Sequence, residues 1–547
     1  METIGITLVL LLAVVVSGPL ERILPLRIPR PLIQIALGTA IAVFTDLGVE
    51  LHPQLFFLLF LPPLLFLDGW RTPREGLARD FGLIMALAFG LVVFTVVGLG
   101  FFIHWMIPIM PLPVAFALAA IISPTDTLAV SAILSGRAMP ERLMRVLEGE
   151  SLLNDASGLV CMQFAVAAAM TGAFSLTAAA EEFVWLATGG AAVGIAVTVV
   201  AGIAKNWISD KFGEDPGAQV LISILIPFGA YLLAEQIGCS PVLAAVAAGL
   251  TMTGLEQSGH LQAVSRLDRK VVWDIIQYTA NGIVFVLLGE QLPQVIGRAA
   301  DLVRDNNGFD LSWLALYTVA IVGLLAVMRY SWVWVSLSLA AAWARYRGQS
   351  YQSPDKRHVG AATLSGVRGA VTLAGVLTLP LHLPDGTHFP ARDLAVFLAA
   401  AVIIVSLVLA SAGLPLLVPR ASAPRAMRTT KALSAVQVDA SEAAIRAIEA
   451  ARHKMSEGED GGAPLSAEAA AHLIEIYRRR IEANSQDEAQ ADALFRTGEM
   501  EREMHIAALR AERGVYFEAA RKRRVSEEDA RRLVMALDLL EARLVSR

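Results

Sequence analysis

Asn154-Asp155, in EGESLLNDASGLV (148–160), places a carboxylate inside a run long and apolar enough to cross a bilayer. An ionisable group at membrane depth is costly, so it points to ion or proton movement. A carboxylate buried in low dielectric favours its protonated form. Without the proton it is a hard oxygen ligand, the kind that suits small hard cations. One group can then hold a proton or a cation but not both, and that exclusion is sufficient for exchange. Asp126, in SPTDT (123–127), is a second acid in the preceding apolar segment. If that segment unwinds at Pro124, the Thr125 carbonyl becomes a neutral ligand beside Asp126. Ser151 precedes Asp155 by four residues and shares its helix face. Thr125, Asp126, Ser151 and Asp155 would form an oxygen cluster for a monovalent cation, with no His or Cys to favour a transition metal. Two plainer roles stay open: Asp126 as a helix cap, and Asp155 as a tie between helices.

Arg368, in SGVRGAVTLA (365–374), lies in a distant apolar segment. A buried Arg needs a partner and favours fork-like pairing with a carboxylate. Glu150 is the expected one, and the pair reads as a structural tie rather than the ion site. Glu235 and Arg329 also fall at membrane depth or its edge, and their expected roles are structural. Asn281, before a glycine, is expected to hydrogen-bond between helices.

Elements must hold these residues. The chain has 547 residues, 55% hydrophobic and only 17% charged, with a net charge of −5. A soluble chain would carry roughly a quarter charged residues. Residues 1–420 are apolar runs broken by short polar loops, and 421–547 are rich in Glu, Arg and Ala. The division predicts a polytopic all-α membrane domain followed by a helical tail. Nothing supports nucleic-acid binding. Cys161 and Cys239 lie in apolar runs and read as small buried hydrophobes.

A bilayer crossing needs about 20 mostly apolar residues. Thirteen segments qualify, at about 3–20, 31–48, 53–68, 80–105, 111–135, 147–171, 184–204, 217–236, 239–254, 271–292, 311–343, 358–381 and 393–418. The first has no basic leader and no small-x-small cleavage pattern, so it is expected to stay as a span. Alternate loops are rich in Lys and Arg, such as Arg137, Arg142 and Arg145, whereas the others hold only Arg298, Arg304 and Arg392. Because cytoplasmic loops carry the excess, the N-terminus is expected outside and the tail in the cytoplasm.

Segments 5 and 12 look interrupted, one by Ser123-Pro124-Thr125-Asp126-Thr127, the other by Gly360, Gly366 and Gly369 around Arg368. If segments 1–6 and 8–13 are two copies, 5 corresponds to 12, and the odd number between them implies inverted topology. Broken helices at matching positions of two halves point to a transport site near the midplane.

LPPLLFLDGW (61–70), SPTDTLAV (123–130), EGESLLNDASGLV (148–160), YLLAEQIGCSPVLAAVAAGL (231–250), GIVFVLLGEQL (282–292) and SGVRGAVTLAGVLTLP (365–380), in this order, resemble the monovalent cation:proton antiporter family 1, with its Asn-Asp motif. The resemblance covers about residues 1–420. It implies a 13-helix protomer with inverted six-helix repeats, crossed unwound helices 5 and 12, a homodimer, and electroneutral one-for-one exchange. It also implies that Asp155 is the ion- and proton-binding carboxylate, that Asn154 is its motif partner, and that Asp126, Ser151 and the Thr125 carbonyl complete the site. Glu150 and Arg368 would be the inter-helix ion pair. Many relatives place an acid just after the Pro-Pro of helix 3, where this chain reads Phe66-Leu67-Asp68-Gly69. Asp68 is displaced toward the inner membrane edge, and no direct ligand role is assigned to it.

In the tail, 430–453 and 466–513 read as helical, with a Gly-rich break at 458–464. Ser526 and Asp529 resemble a capping box, and Leu533, Leu537, Leu540 and Leu544 form a stripe. This fits a small helical domain, a helix–helix contact between copies, or a regulatory region. The expectation is a transporter, not an enzyme. It exchanges Na⁺, with Li⁺ or K⁺ as alternatives, for H⁺ across the bacterial inner membrane, needs no cofactor, and serves pH homeostasis. The rivals are a K⁺-selective exchanger, a passive cation channel and an intramembrane aspartyl protease. The Tyr-Asp and Gly-x-Gly-Asp pair of such proteases is absent around Asp126 and Asp155.

Overall fold

The computed structural model describes residues 2–24, 28–45, 53–72, 74–134, 137, 139–172, 176–213, 215–256, 263–307, 312–346, 355–383, 386–419, 431–456, 463–485, 488–522, 524–525 and 527–545. Among them the regular elements are helices, and an isolated β-bridge joins His382 and His388. It divides into two compact units, Met1–Ala421 and Ser422–Arg547.

In the first unit the helices are α1 (Glu2–Ile23), α2 (Arg30–Phe44), α3 (Pro53–Arg71), α4 (Arg74–Arg79), α5 (Phe81–Met85), α6 (Val92–Met106), α7 (Leu112–Ile121), α8 (Thr127–Ile133), α9 (Glu141–Thr171), α10 (Leu176–Phe212) and α11 (Pro216–Ile237). They continue with α12 (Pro241–Glu256), α13 (Ala263–Asn307), α14 (Ser312–Tyr346), α15 (Lys356–Leu364), α16 (Ala370–Leu377) and α17 (Arg392–Leu417). Among the described residues, eight helical stretches are long and apolar enough to cross a membrane, and Arg30–Phe44, Leu112–Ile121 and Pro241–Leu255 are shorter apolar helices. The chain is thus an all-α polytopic membrane protein. Phe101 and Trp105 on α6, Val200 and Ile203 on α10, Leu221 and Leu225 on α11, and Val319 and Val327 on α14 point outward. In water that belt would drive aggregation; in a bilayer it meets acyl chains. By contrast α7 and α17 bury most of their length in the core.

Packing follows a repeated scheme. α2 lies against α13, and α3 against α12. Both crossings are made by glycine. A Cβ at Gly38 or Gly289 would come within 1.9 or 2.0 Å of a facing carbonyl oxygen, and one at Gly69 or Gly249 within 2.5 or 2.1 Å. Small residues allow this close backbone approach between membrane helices. Exchanging segments 2 with 9 and 3 with 10 turns one crossing into the other, as two six-helix copies require.

Segments 5 and 12 are each split. α7 ends at Ile121 and α8 restarts at Thr127; α15 ends at Leu364 and α16 restarts at Ala370. The breaks touch, because the Asp126 backbone N–H donates to the Val367 carbonyl at 2.7 Å. Between α5 and α6, Ala86–Leu91 forms a π-helical turn within a segment that reads as a continuous span. Such a turn upsets the regular carbonyl ladder. Here the Ala86 carbonyl accepts from Trp332 Nε1 at 2.9 Å, and the Ala88 carbonyl from Ser157 Oγ at 2.6 Å.

In the second unit, α18 (Lys431–Ser456) packs on α19 (Ala463–Ser485), and α20 (Glu488–Arg521) on α21 (Glu527–Val545). The described residues of the stretch expected as helical over 466–513 are helical, and the helical pattern continues to Arg521. Ser526 lies outside the described residues. Of the leucine stripe, Leu537 is buried while Leu533 and Leu540 are exposed, because α21 packs mainly on α20. Arg513 of α20 pairs with Asp538 at 2.7 Å and with Glu541, and it holds the Glu541 carboxyl below the usual range.

Candidate functional site

The first break creates the site. Pro124 cannot donate a backbone hydrogen bond, and the chain stays non-helical through Asp126. Asp126 then caps α8: its Oδ1 accepts from the Leu128 and Ala129 N–H groups at 2.8 and 3.3 Å. α9 passes alongside. Ser151 Oγ donates to the Thr125 carbonyl at 2.7 Å, and Asn154 Nδ2 to Thr125 Oγ1 at 3.0 Å. The second break closes the far side at Gly369. A Cβ there would fall 2.1 Å from Asp126 Oδ2, so only glycine leaves room for that carboxylate.

Between the breaks lies a cavity of about 30 Å³. Asp155, Asp126, Thr125 and Ser151 line it, together with Asp68 and Asn281. A single water needs roughly 10–15 Å³ of such space, so the cavity has room for a water or a small cation. Asp155 is 7% exposed, and among the described residues no protein donor hydrogen-bonds its carboxylate. Such a group needs a proton or a cation. Among the described residues no three His, Cys, Asp or Glu side chains converge as a multidentate metal site. A larger chamber of about 120 Å³ shares Asp68, Thr127, Leu128 and Ser151, and extends toward Arg71 and Glu148.

Three placements differ from the sequence reading. Asn154 is buried but does not line the cavity. Adjacent helical residues point about 100° apart, so Asp155 faces the cavity while Asn154 stands behind Thr125 and fixes its hydroxyl. Asp68, to which no ligand role was assigned, lines the cavity from the last turn of α3, which continues to Arg71. Asn281 lines it too, where a bond between helices was expected.

The expected Glu150–Arg368 ion pair does not form. Glu150 is paired with Arg329 on α14, through two hydrogen bonds of 2.5 and 3.0 Å, and both residues are almost fully buried. Arg329 Nε also donates to the Ala362 carbonyl at 2.9 Å near the end of α15. Arg368 instead donates to the carbonyls of Ile122 and Gly366, and its backbone N–H donates to Ser406 Oγ. The physical reason is the broken helices themselves. Helix ends leave carbonyls without intrahelical donors, and a guanidinium wedged between two such ends satisfies both. Glu235, at the end of α11, is exposed rather than paired in the interior.

Residues 9–419 match the family described as "Sodium/hydrogen exchanger, transmembrane". An uncharacterized Na⁺/H⁺ exchanger of Escherichia coli is 38% identical over 100% of this chain and 99% of its own length. A sodium, potassium, lithium and rubidium/H⁺ antiporter of Bacillus pumilus is 45% identical, over 76% of this chain and 61% of its own. In fold, the chain is similar to the solved sodium proton antiporter MjNhaP1 of Methanocaldococcus jannaschii, with a TM-score of 0.58 at 19% identity, covering 76% of this chain and 98% of that one. The chain therefore belongs to the sodium/hydrogen exchanger family, whose members are multi-pass membrane transporters and not enzymes.

Proposed function

We propose that this chain exchanges cytoplasmic Na⁺ for external H⁺, one for one and without net charge movement, across the bacterial inner membrane. Asp155 is the shared group. It releases its proton to the cytoplasm when the cation enters, and takes one from outside when the cation leaves. Only the loaded forms cross between inward- and outward-facing states, because a bare buried carboxylate is costly at membrane depth. The carrying observation is the Asp155 carboxylate facing a small cavity with no hydrogen-bond donor among the described residues, while its neighbours are already engaged. The Thr125 carbonyl keeps a second lone pair, Asp126 keeps Oδ2, and Ser151 keeps its oxygen lone pairs, so together with Asp155 they make a hard, oxygen-only ligand set. Asp68 joins them on the cavity wall. Asn154 acts by holding Thr125 in place.

The chamber toward Arg71 and Glu148 is the entry path from the cytoplasmic side, given the basic loops at that end. In this reading thirteen segments cross the membrane, the N-terminus is outside, the tail is cytoplasmic and regulatory, and the protein works as a homodimer. The names of the Bacillus relatives make potassium, lithium and rubidium the ions to compare with sodium.

The test is proton movement in everted vesicles with a ΔpH-sensitive dye, adding each cation across a pH series. Cation-driven collapse of ΔpH that vanishes in Asp155→Asn is the expected result. Activity should fall on the acid side of neutrality, where protons outcompete the cation. A rate that keeps rising well below neutrality would contradict a shared site. Cation flux without proton movement would support a channel instead.

A further inference from the structure

The segment between α16 and α17 carries a feature unrelated to the cation cavity. Residues 379–383 and 386–391 form the two arms of a short hairpin. The Leu383 N–H donates to the Thr387 carbonyl at 2.8 Å, the Phe389 N–H donates to the Leu381 carbonyl at 3.0 Å, and a β-bridge joins His382 to His388. The two imidazoles face one another across the strands with centroids 4.9 Å apart and planes tilted by 32°. Both side chains are exposed.

We propose that His382 and His388 form a two-imidazole binding site for a borderline divalent cation of the zinc–nickel class. Imidazole nitrogen suits these ions, and its bonds to them are about 2.0–2.1 Å. With that bond length, each ring centroid stands about 3.2 Å from the metal, so two rings at right to tetrahedral angles lie about 4.5–5.2 Å apart. The observed separation falls in that window without backbone movement. A cross-strand pair of imidazoles also has a plainer use, as a side-chain contact that steadies the hairpin. Their exposure adds what that role does not need: open positions where water completes the coordination shell.

The hairpin is held firmly at its base. Leu379 and Phe389 are buried, and Arg392 Nε, at the start of α17, donates to the Leu379 carbonyl at 3.0 Å. α16 has only eight residues, a length of about 12 Å, and its first residues line the cation cavity. A metal joining the two strands therefore restrains the half-helix against α17. With the orientation proposed above, the ion binds from the outer face and slows exchange.

Calorimetric titration of the full-length, tag-free protein with ZnCl₂, and separately with NiCl₂, tests the site without relying on transport. One ion bound per chain, lost in the double variant His382→Ala/His388→Ala, is the expected result. Equal binding by the parent and the variant overturns the site. If the alanine variant does not fold, His382→Gln/His388→Gln serves in its place. Exchange in proteoliposomes should slow on adding Zn²⁺ to the parent and not to the variant. Saturating binding with unchanged exchange in the parent overturns the restraint.

Discussion

The two broken segments occupy matching places in the fold and are built from opposite chemistry. The first, between α7 and α8, ends on an acid: Asp126 caps the second half-helix and keeps one oxygen for the cavity. The second, between α15 and α16, carries a base. Arg368 turns away from the cavity wall and collects the Ile122 and Gly366 carbonyls. One break exposes oxygens and the other removes them from circulation. The difference shows how a single device, an unwound helix, yields a ligand site on one side and a brace on the other. The brace matters because it holds the first break open at a fixed width. The direct link between the breaks, from the Asp126 N–H to the Val367 carbonyl, makes them one unit.

The sharpest way to break this comparison is to ask which arginine Glu150 depends on. Removing one partner of a buried ion pair strands the other, at about 3–5 kcal/mol. Arg329→Gln should therefore lower thermal stability in detergent more than any other single change discussed here. In a double-mutant cycle, Glu150 should couple strongly to Arg329 and less to Arg368. If the coupling to Arg368 is the larger, Arg368 is an ion-pair partner and the brace assignment fails. Next in size is Gly369→Ala. The added methyl group meets Asp126 Oδ2, and overpacking of this kind costs about 1–3 kcal/mol. Since about 1.4 kcal/mol is a factor of ten in rate, exchange should fall roughly ten- to hundredfold. Unchanged exchange would mean that the second break does not position the first.

What the sequence made legible was local. A proline beside small polar residues, and glycines around an arginine, marked both breaks. The four-residue spacing of Ser151 and Asp155 put both on the cavity wall. What it hid depended on tertiary geometry. Glu150 had two buried arginines to choose from, and only the packing of α14 against α15 selects Arg329. The π-helical turn has no proline, and two of its carbonyls are matched by Ser157 and Trp332 from distant helices. That Asp68 lines the cavity depends on how α3 packs against the two breaks, which the sequence does not show.

The smallest predicted effects separate positioning of the site from support of the fold. Asn154 and Ser406 are both buried, and each makes a hydrogen bond next to a break. Each bond contributes about 1 kcal/mol. Asn154→Ala frees the Thr125 side chain beside the cavity, so the apparent affinity for Na⁺ should weaken by several-fold, read as KM in the vesicle assay. Ser406→Ala removes the acceptor of the Arg368 N–H on the side away from the cavity. It should lower thermal stability slightly and leave KM where it is. A KM shift in Ser406→Ala as large as in Asn154→Ala would mean that the brace tunes the ligands directly, and that the two breaks share one role rather than dividing it.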